Sequence, residues 1–184
     1  MNNRVLLIID VQNEYLDGCL PIVDSSISLP LIHQSIRIAN AHQIPVVVVQ
    51  HVSEVGEIEP SAFVPDSHEV EVEKIVQLLP HNLLIQKHKP SCFHNTPLES
   101  FLMDIGCDTV VIAGYMTHMC CDTTAREAFH KGYQVEFLKD ATGTVNLTTP
   151  LGTIDGRSLH ETVLKVQSSM FSNVLSVDEW EKTL

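Results

Sequence analysis

The 184-residue chain predicts an α/β fold, a three-layer αβα domain of Rossmann-like type around a six-stranded, mostly parallel sheet. Three observations predict it. Short apolar, β-branched runs alternate with stretches of helical spacing, the pattern of strand–crossover–strand units. The strands read as near-continuous apolar runs, as expected where helices cover both faces of a sheet. Hydrophobic residues make up 44% and charged residues 18%, an ordinary globular balance for a chain long enough to bury one core without staples. No linker, repeat or low-complexity tract divides the chain, so one domain over residues 1–184 is expected.

Taken in order, VLLIID (5–10) is the first strand and ends in a carboxylate. Leu31, Ile32, Ile36 and Ile38 give helical spacing over 29–42, and PVVVVQH (45–51) is the second strand. Residues 52–66, with Gly56, Pro60 and Pro65, read as loop, followed by a helix over 68–79 and a strand LLIQKH (83–88). Thr96 and Pro97 suit the start of a helix over 96–105. The run 109–113, bounded by Gly114, is the fourth strand, and a helical pattern runs from Cys120 to Gly132, a C-cap. QVEFLKDA (134–141) is the fifth strand, 157–170 a helix, 173–177 a short sixth strand, and 177–184 a polar tail.

Composition excludes some functions. The net charge of −12 argues against nucleic acid and anionic membrane surfaces as partners, and the acidic residues between Glu54 and Glu73 read as a solvated face. No run approaches the ~20 apolar residues of a membrane span. Five cysteines without a CxxC pair, and no signal peptide, point to a reduced, cytoplasmic protein.

Helical periodicity separates the vicinal cysteines. Cys121 shares a stripe with Ala125, Ala128 and Phe129, the spacing of a core face, whereas Cys120 shares its face with Thr123, Thr124 and Glu127. Cys121 therefore reads as a packed small hydrophobe. Cys120, at a turn between strand and helix, is placed where a helix N-terminus favours a thiolate and backbone N–H groups can hold an oxyanion. An isolated cysteine would be read as core. The topology, however, brings other groups to the same carboxyl-end rim: Asp10, Gln12 and Asn13, then Gln50 and His51, then Lys87, His88 and Lys89, and finally Asp140. Core packing has no use for such charges, which are costly to bury unpaired.

The blocks LLIIDVQNEY, KPSCFHNTPLESFL and GYMTHMCCDTTAREAF followed by KDATGT, in that order and spacing, resemble the isochorismatase-like cysteine hydrolase superfamily. The resemblance implies a catalytic triad of Asp10, Lys89 and Cys120, and a cis peptide bond between Tyr115 and Met116. It further implies an oxyanion hole of the Met116 and Cys120 backbone N–H groups, and a homo-oligomer, dimer or tetramer. The activity it implies is hydrolysis of a C–N bond in a small amide or ureido substrate through a thioester on Cys120. Nicotinamidases of this superfamily hold a metal through Asp-x-His and a second His; here the region reads QHVSEVGEIE, with His51 alone, so neither metal nor cofactor is expected. Gln12, Tyr15, Gln50, His51, Phe93, Tyr115 and His118 are the candidates to line the substrate pocket. Few cations accompany Lys89 at the rim, which points to a neutral or weakly charged substrate. Two other classes stay open: a silent small-molecule binding protein of the same fold, and a redox sensor using the vicinal cysteines, which close a disulfide only with strain.

Overall fold

The computed structural model describes residues 3–54 and 62–184, so part of the loop expected over 52–66 lies outside the described residues. Six strands form one parallel sheet: β1 (Arg4–Ile9), β2 (Val46–His51), β3 (Leu83–Lys87), β4 (Thr109–Tyr115), β5 (Gln134–Gly143) and a short strand (Asn173–Leu175), in the spatial order β3-β2-β1-β4-β5 with the short strand outermost. The order reverses direction between β1 and β4. Connections leaving their carboxyl ends diverge and leave a crevice there, the place where open parallel sheets bind ligands.

Alternation across the pleat divides the core in two. Leu6, Ile8, Val46, Val48 and Val111 pack against Ile32, Ile36 and Ala39 of α1 (Ser25–Ala41). Val5, Leu7, Ile9, Val49 and Ile112 pack on the other face. Their partners there are Leu98 and Leu102 of α3 (Leu98–Asp104), and Cys121, Ala125 and Ala128, the last two on α4 (Asp122–His130). These are the three expected layers. β1 and β4 approach so closely that a Cβ on Gly114, which has φ +114°, would stand 2.1 Å from the Ile9 carbonyl oxygen. Only glycine fits there.

Several elements differ from the expectation. α1 begins four residues before position 29 and runs through Pro30. The helix expected over 68–79 shrinks to α2 (Lys74–Leu78), because residues 69–73 give their backbone groups to the β1 exit: Asn13 N–H bonds Glu71 O and Glu73 N–H bonds Val11 O. Glu73 then caps α2 by accepting from the Ile75 and Val76 N–H groups. A two-stranded antiparallel hairpin, β6 (Leu147–Thr149) and β7 (Gly152–Ile154), was not expected, nor was the π-helical turn Gln167–Phe171 that ends α5 (Gly156–Val166). With these strands counted, the outermost strand of the main sheet is β8 (Asn173–Leu175).

The polar tail expected over 177–184 is in fact a capped helix, α6 (Val177–Glu181), with Ser176 and Glu179 forming a reciprocal capping box. Trp180 on α6 is fully buried and donates from Nε1 to Glu136 Oε2 at 2.9 Å, the same carboxylate that takes two bonds from Arg4. A buried Trp contributes about 3–5 kcal/mol relative to Ala. Among the described residues no helix is long and apolar enough to cross a membrane.

Candidate active site

Asp10 follows β1 directly, with φ +51°, a left-handed conformation that Asp tolerates better than most residues. Its N–H is tied to Val49 O, which turns the side chain into the crevice. Cys120 arrives from β4 through a cis Tyr115-Met116 peptide bond and a π-helical turn, Thr117–Cys121, that runs straight into α4. Such turns within helices recur at functional sites. The Met119 and Cys121 N–H groups both return to Met116 O, so the thiol sits in the first turn of a continuous helical stretch. Cys121 points into the core with no exposure, as its periodicity implies.

The lysine between them is Lys87, which corrects the assignment of that place to Lys89. Lys87 Nζ lies 2.7 Å from Asp10 Oδ2 and 3.2 Å from Cys120 Sγ, and the side chains of Lys87 and Asp10 are both wholly buried. Lys89 Nζ instead pairs with Glu54 Oε2 at 2.9 Å, with its side chain 45% exposed. Strand parity supplies the reason. Along β3, Ile85 and Lys87 are buried while Leu84 and Gln86 are exposed, so Lys87 lies on the inward face. Lys89 lies beyond the strand end and on its way to solvent.

The electrostatics are those of a shared cluster. Burial pushes the Lys87 ammonium down, but the Asp10 carboxylate, seconded by Cys120, outweighs it and leaves Lys87 above its ordinary range. Burial, and then the Asp10 charge, push the Cys120 thiol well up, with Lys87 pulling the other way. The resting sulfur is therefore a thiol facing a carboxylate beside a fixed ammonium, rather than the preformed thiolate that a helix N-terminus and a lysine would produce by themselves. Burial, with the Asp10 charge adding to it and Lys87 opposing, also pushes Cys92, behind the cluster, up to about 12.

Cys120 floors a cavity of about 290 Å³ lined by Tyr15, His51, Phe63, His88, Lys89, Pro90, Met116 and Met119. Of the pocket candidates, Tyr15 and His51 are there. Gln12 is structural, bridging His51 N and O and Val70 O. Gln50 donates to Val70 O and accepts from Gln86. Phe93 stacks on Tyr133 and does not line the cavity. Tyr115 is buried behind Tyr15 with its hydroxyl on Ser28, and His118 bonds Thr144 through Nδ1. Phe63 and Met119 were not anticipated; Phe63 comes from a loop far along the chain and carries no local signal, whereas Met119 is adjacent to Cys120 and its position on the turn was readable.

By donor type, Asp10, His51 and Cys120 form a set that could hold a cation, with ligand atoms within 4.8 Å of one another. The Lys87 ammonium already contacts all three, through His51 Nδ1 at 3.1 Å as well as Asp10 and Cys120. With Lys87 protonated in their midst these residues do not fit a metal, and the Asp-x-His that follows β2, Asp66-Ser67-His68, instead sets an exposed His68 against Asp17.

A parallel α/β domain presenting a buried carboxylate, ammonium and thiol where its strand order reverses is in the class of the cysteine hydrolases. Within that class the chain belongs to the isochorismatase family, whose Isochorismatase domain matches residues 4–179. It is similar to nicotinamidase 3 of Arabidopsis thaliana, 30% identical over 189 residues that cover 97% of this chain and 87% of the plant protein. It is 29% identical over 178 residues to YddQ of Bacillus subtilis (strain 168), described as an uncharacterized isochorismatase family protein, covering 96% of this chain and 98% of that protein. Among solved structures it is similar to an isochorismatase-related protein of Burkholderia xenovorans LB400, with a TM-score of 0.95 and 36% identity over 99% of this chain and 87% of the other.

Proposed function

We propose that the protein hydrolyses the C–N bond of a small, neutral amide or ureido compound through a thioester on Cys120. The observation that carries the reading is the Asp10–Lys87–Cys120 cluster, with the ion pair buried and Cys120 lining the cavity. As Cys120 Sγ attacks the carbonyl carbon, its proton passes to Asp10, and the charge developing on the carbonyl oxygen is held by the backbone N–H groups of Met116 and Cys120. Asp10 returns the proton to the departing nitrogen, and ammonia or an amine leaves. A water molecule, deprotonated by Asp10, then attacks the thioester; the acid is released and the thiol regenerated. Lys87 stays protonated throughout and stabilises whichever neighbour carries the negative charge.

The cavity walls support an apolar or aromatic acyl group, since Tyr15, Phe63, Met116 and Met119 stand in the wall with Cys120. Lys89 at the rim is balanced by Glu54, so it adds little preference for an anionic substrate. The likeness to a nicotinamidase supports amide hydrolysis in general, while the departure at the metal-binding sequence weighs against nicotinamide itself.

The test is a panel of carboxamides and ureides assayed for ammonia release, with intact-mass detection of an adduct. Turnover with an acyl adduct on Cys120, lost by about 10⁴-fold or more in Cys120→Ala, is the expected outcome. Turnover surviving in Cys120→Ala would overturn the mechanism. Binding of panel members with no adduct and no ammonia would assign the chain to the silent binding class.

A further inference from the structure

Lys87 makes three polar contacts, and the third has no place in the scheme above. Its Nζ meets Asp10 Oδ2, Cys120 Sγ and His51 Nδ1 at 2.7, 3.2 and 3.1 Å. An ammonium carries three N–H donors and no acceptor, so these three partners use all of them. Since Lys87 can only donate, His51 Nδ1 must accept, and the imidazole is the neutral tautomer with its proton on Nε2.

The ring is not placed casually. His51 and Lys87 are register partners on adjacent strands. The His51 main chain is clamped by Gln12, which accepts from its N–H at 2.8 Å and donates to its carbonyl at 2.9 Å. Phe63 packs edge-on against the imidazole, with ring centroids 5.0 Å apart. Backbone pairing and an aromatic neighbour thus aim one ring nitrogen at the ammonium.

We propose that His51 is a positioning residue of this site: by accepting the third N–H of Lys87 it holds the ammonium between Asp10 and Cys120, and so sets the reactivity of the thiol. The inference rests on the Asp10–Lys87–Cys120 reading and deepens it. It also accounts for a histidine at the end of β2. Without an acceptor there, one donor of a buried cation is left unsatisfied, and the ammonium is free to turn or shift away from the sulfur.

The experiment compares alkylation of Cys120 by iodoacetamide at pH 7.5 in the wild type, His51→Leu and His51→Asn, with Cys120 located by peptide mapping and the exposed Cys19 as reference thiol. The Asn side-chain oxygen falls near the position of Nδ1 and keeps the acceptor; Leu removes it. Cys120 labelling is expected to slow about tenfold in His51→Leu, the equivalent of one pKa unit, and to return to within about threefold of wild type in His51→Asn. If the Leu variant does not fold, His51→Met takes its place with the same expectation. ¹⁵N NMR of the wild type should find the His51 proton on Nε2. Wild-type labelling in the apolar variant, an Asn variant as slow as Leu, or a proton on Nδ1 would each overturn the inference. Because labelling needs no substrate, failure of every amide in the panel would sink the hydrolase reading and leave this result standing on its own.

Discussion

Two cavities at the carboxyl edge of the sheet treat charge in opposite ways. One, of about 220 Å³, lies at the end of β5 between Asp24, Lys139, Arg157 and His160. The other holds Cys120. Each has an ion pair at the same distance, 2.7 Å: Arg157 Nε to Asp24 Oδ2 in the first, Lys87 Nζ to Asp10 Oδ2 in the second. The Arg157 side chain is 71% exposed, so water screens its pair and little depends on it. The Lys87–Asp10 pair has no exposure, so water does not screen it, and removing one partner strands the other. Distance alone does not identify a functional ion pair; burial and a third reactive group do.

Four substitutions sharpen that contrast. The largest effect is expected from Lys87→Met, which should lower turnover by about 10³-fold and destabilise the fold by about 3–5 kcal/mol by leaving Asp10 buried and unpaired. Lys89→Met, two residues on, should stay within about threefold of wild type in turnover. Steady-state rates and urea unfolding on the pair decide the matter, and equal losses in both would return the role to the rim lysine.

Next comes Asp10→Asn, where hydrolysis and alkylation should part company. In the wild type the Asp10 charge raises the Cys120 thiol, so removing that charge lowers the thiol's pKa. The Cys120 labelling profile should therefore shift to lower pH and labelling at pH 6.5 should speed up, even as turnover falls by about 10²–10⁴-fold for want of a base. A labelling profile moved to higher pH would mean that Lys87, once released from Asp10, no longer stays beside the sulfur. The smallest effect belongs to Arg157→Ala, which should leave both the melting temperature and the turnover of the Cys120 site unchanged; a change in turnover would show that the two cavities communicate.

Much of this was legible in the residues themselves. Strands and layers followed from apolar runs such as VLLIID and PVVVVQH, because a strand covered on both faces leaves a local signature. Cys120 and Cys121 were separable by helical spacing alone. The choice between Lys87 and Lys89 is also legible, since strand parity sets Ile85 and Lys87 on one face, although the family block KPSCFH begins only at Lys89. In the same way, Ser176 and Glu179 spell a capping box, although the residues around them read as the end of a short strand and a polar tail. Other features had no local signal. Phe63 reaches the cavity from a distant loop, and the short α2 reflects backbone pairing between residues 69–73 and the β1 exit, which no propensity encodes. Gln12, an apparent pocket residue, is occupied in clamping His51.

The buried cluster has one more consequence, for the protein's dependence on ionic strength. A carboxylate, an ammonium and a thiol sum to zero, and they still sum to zero when the thiol proton moves to Asp10. No counterion has to enter or leave, and the cluster lies beneath low-dielectric surroundings inside a chain whose own net charge is −12. Salt screens charges at the surface and reaches buried ones far less. The chemical step should therefore proceed at the same rate in dilute buffer and in concentrated salt, and any salt dependence of the whole reaction will come from the journey of the substrate across an acidic surface.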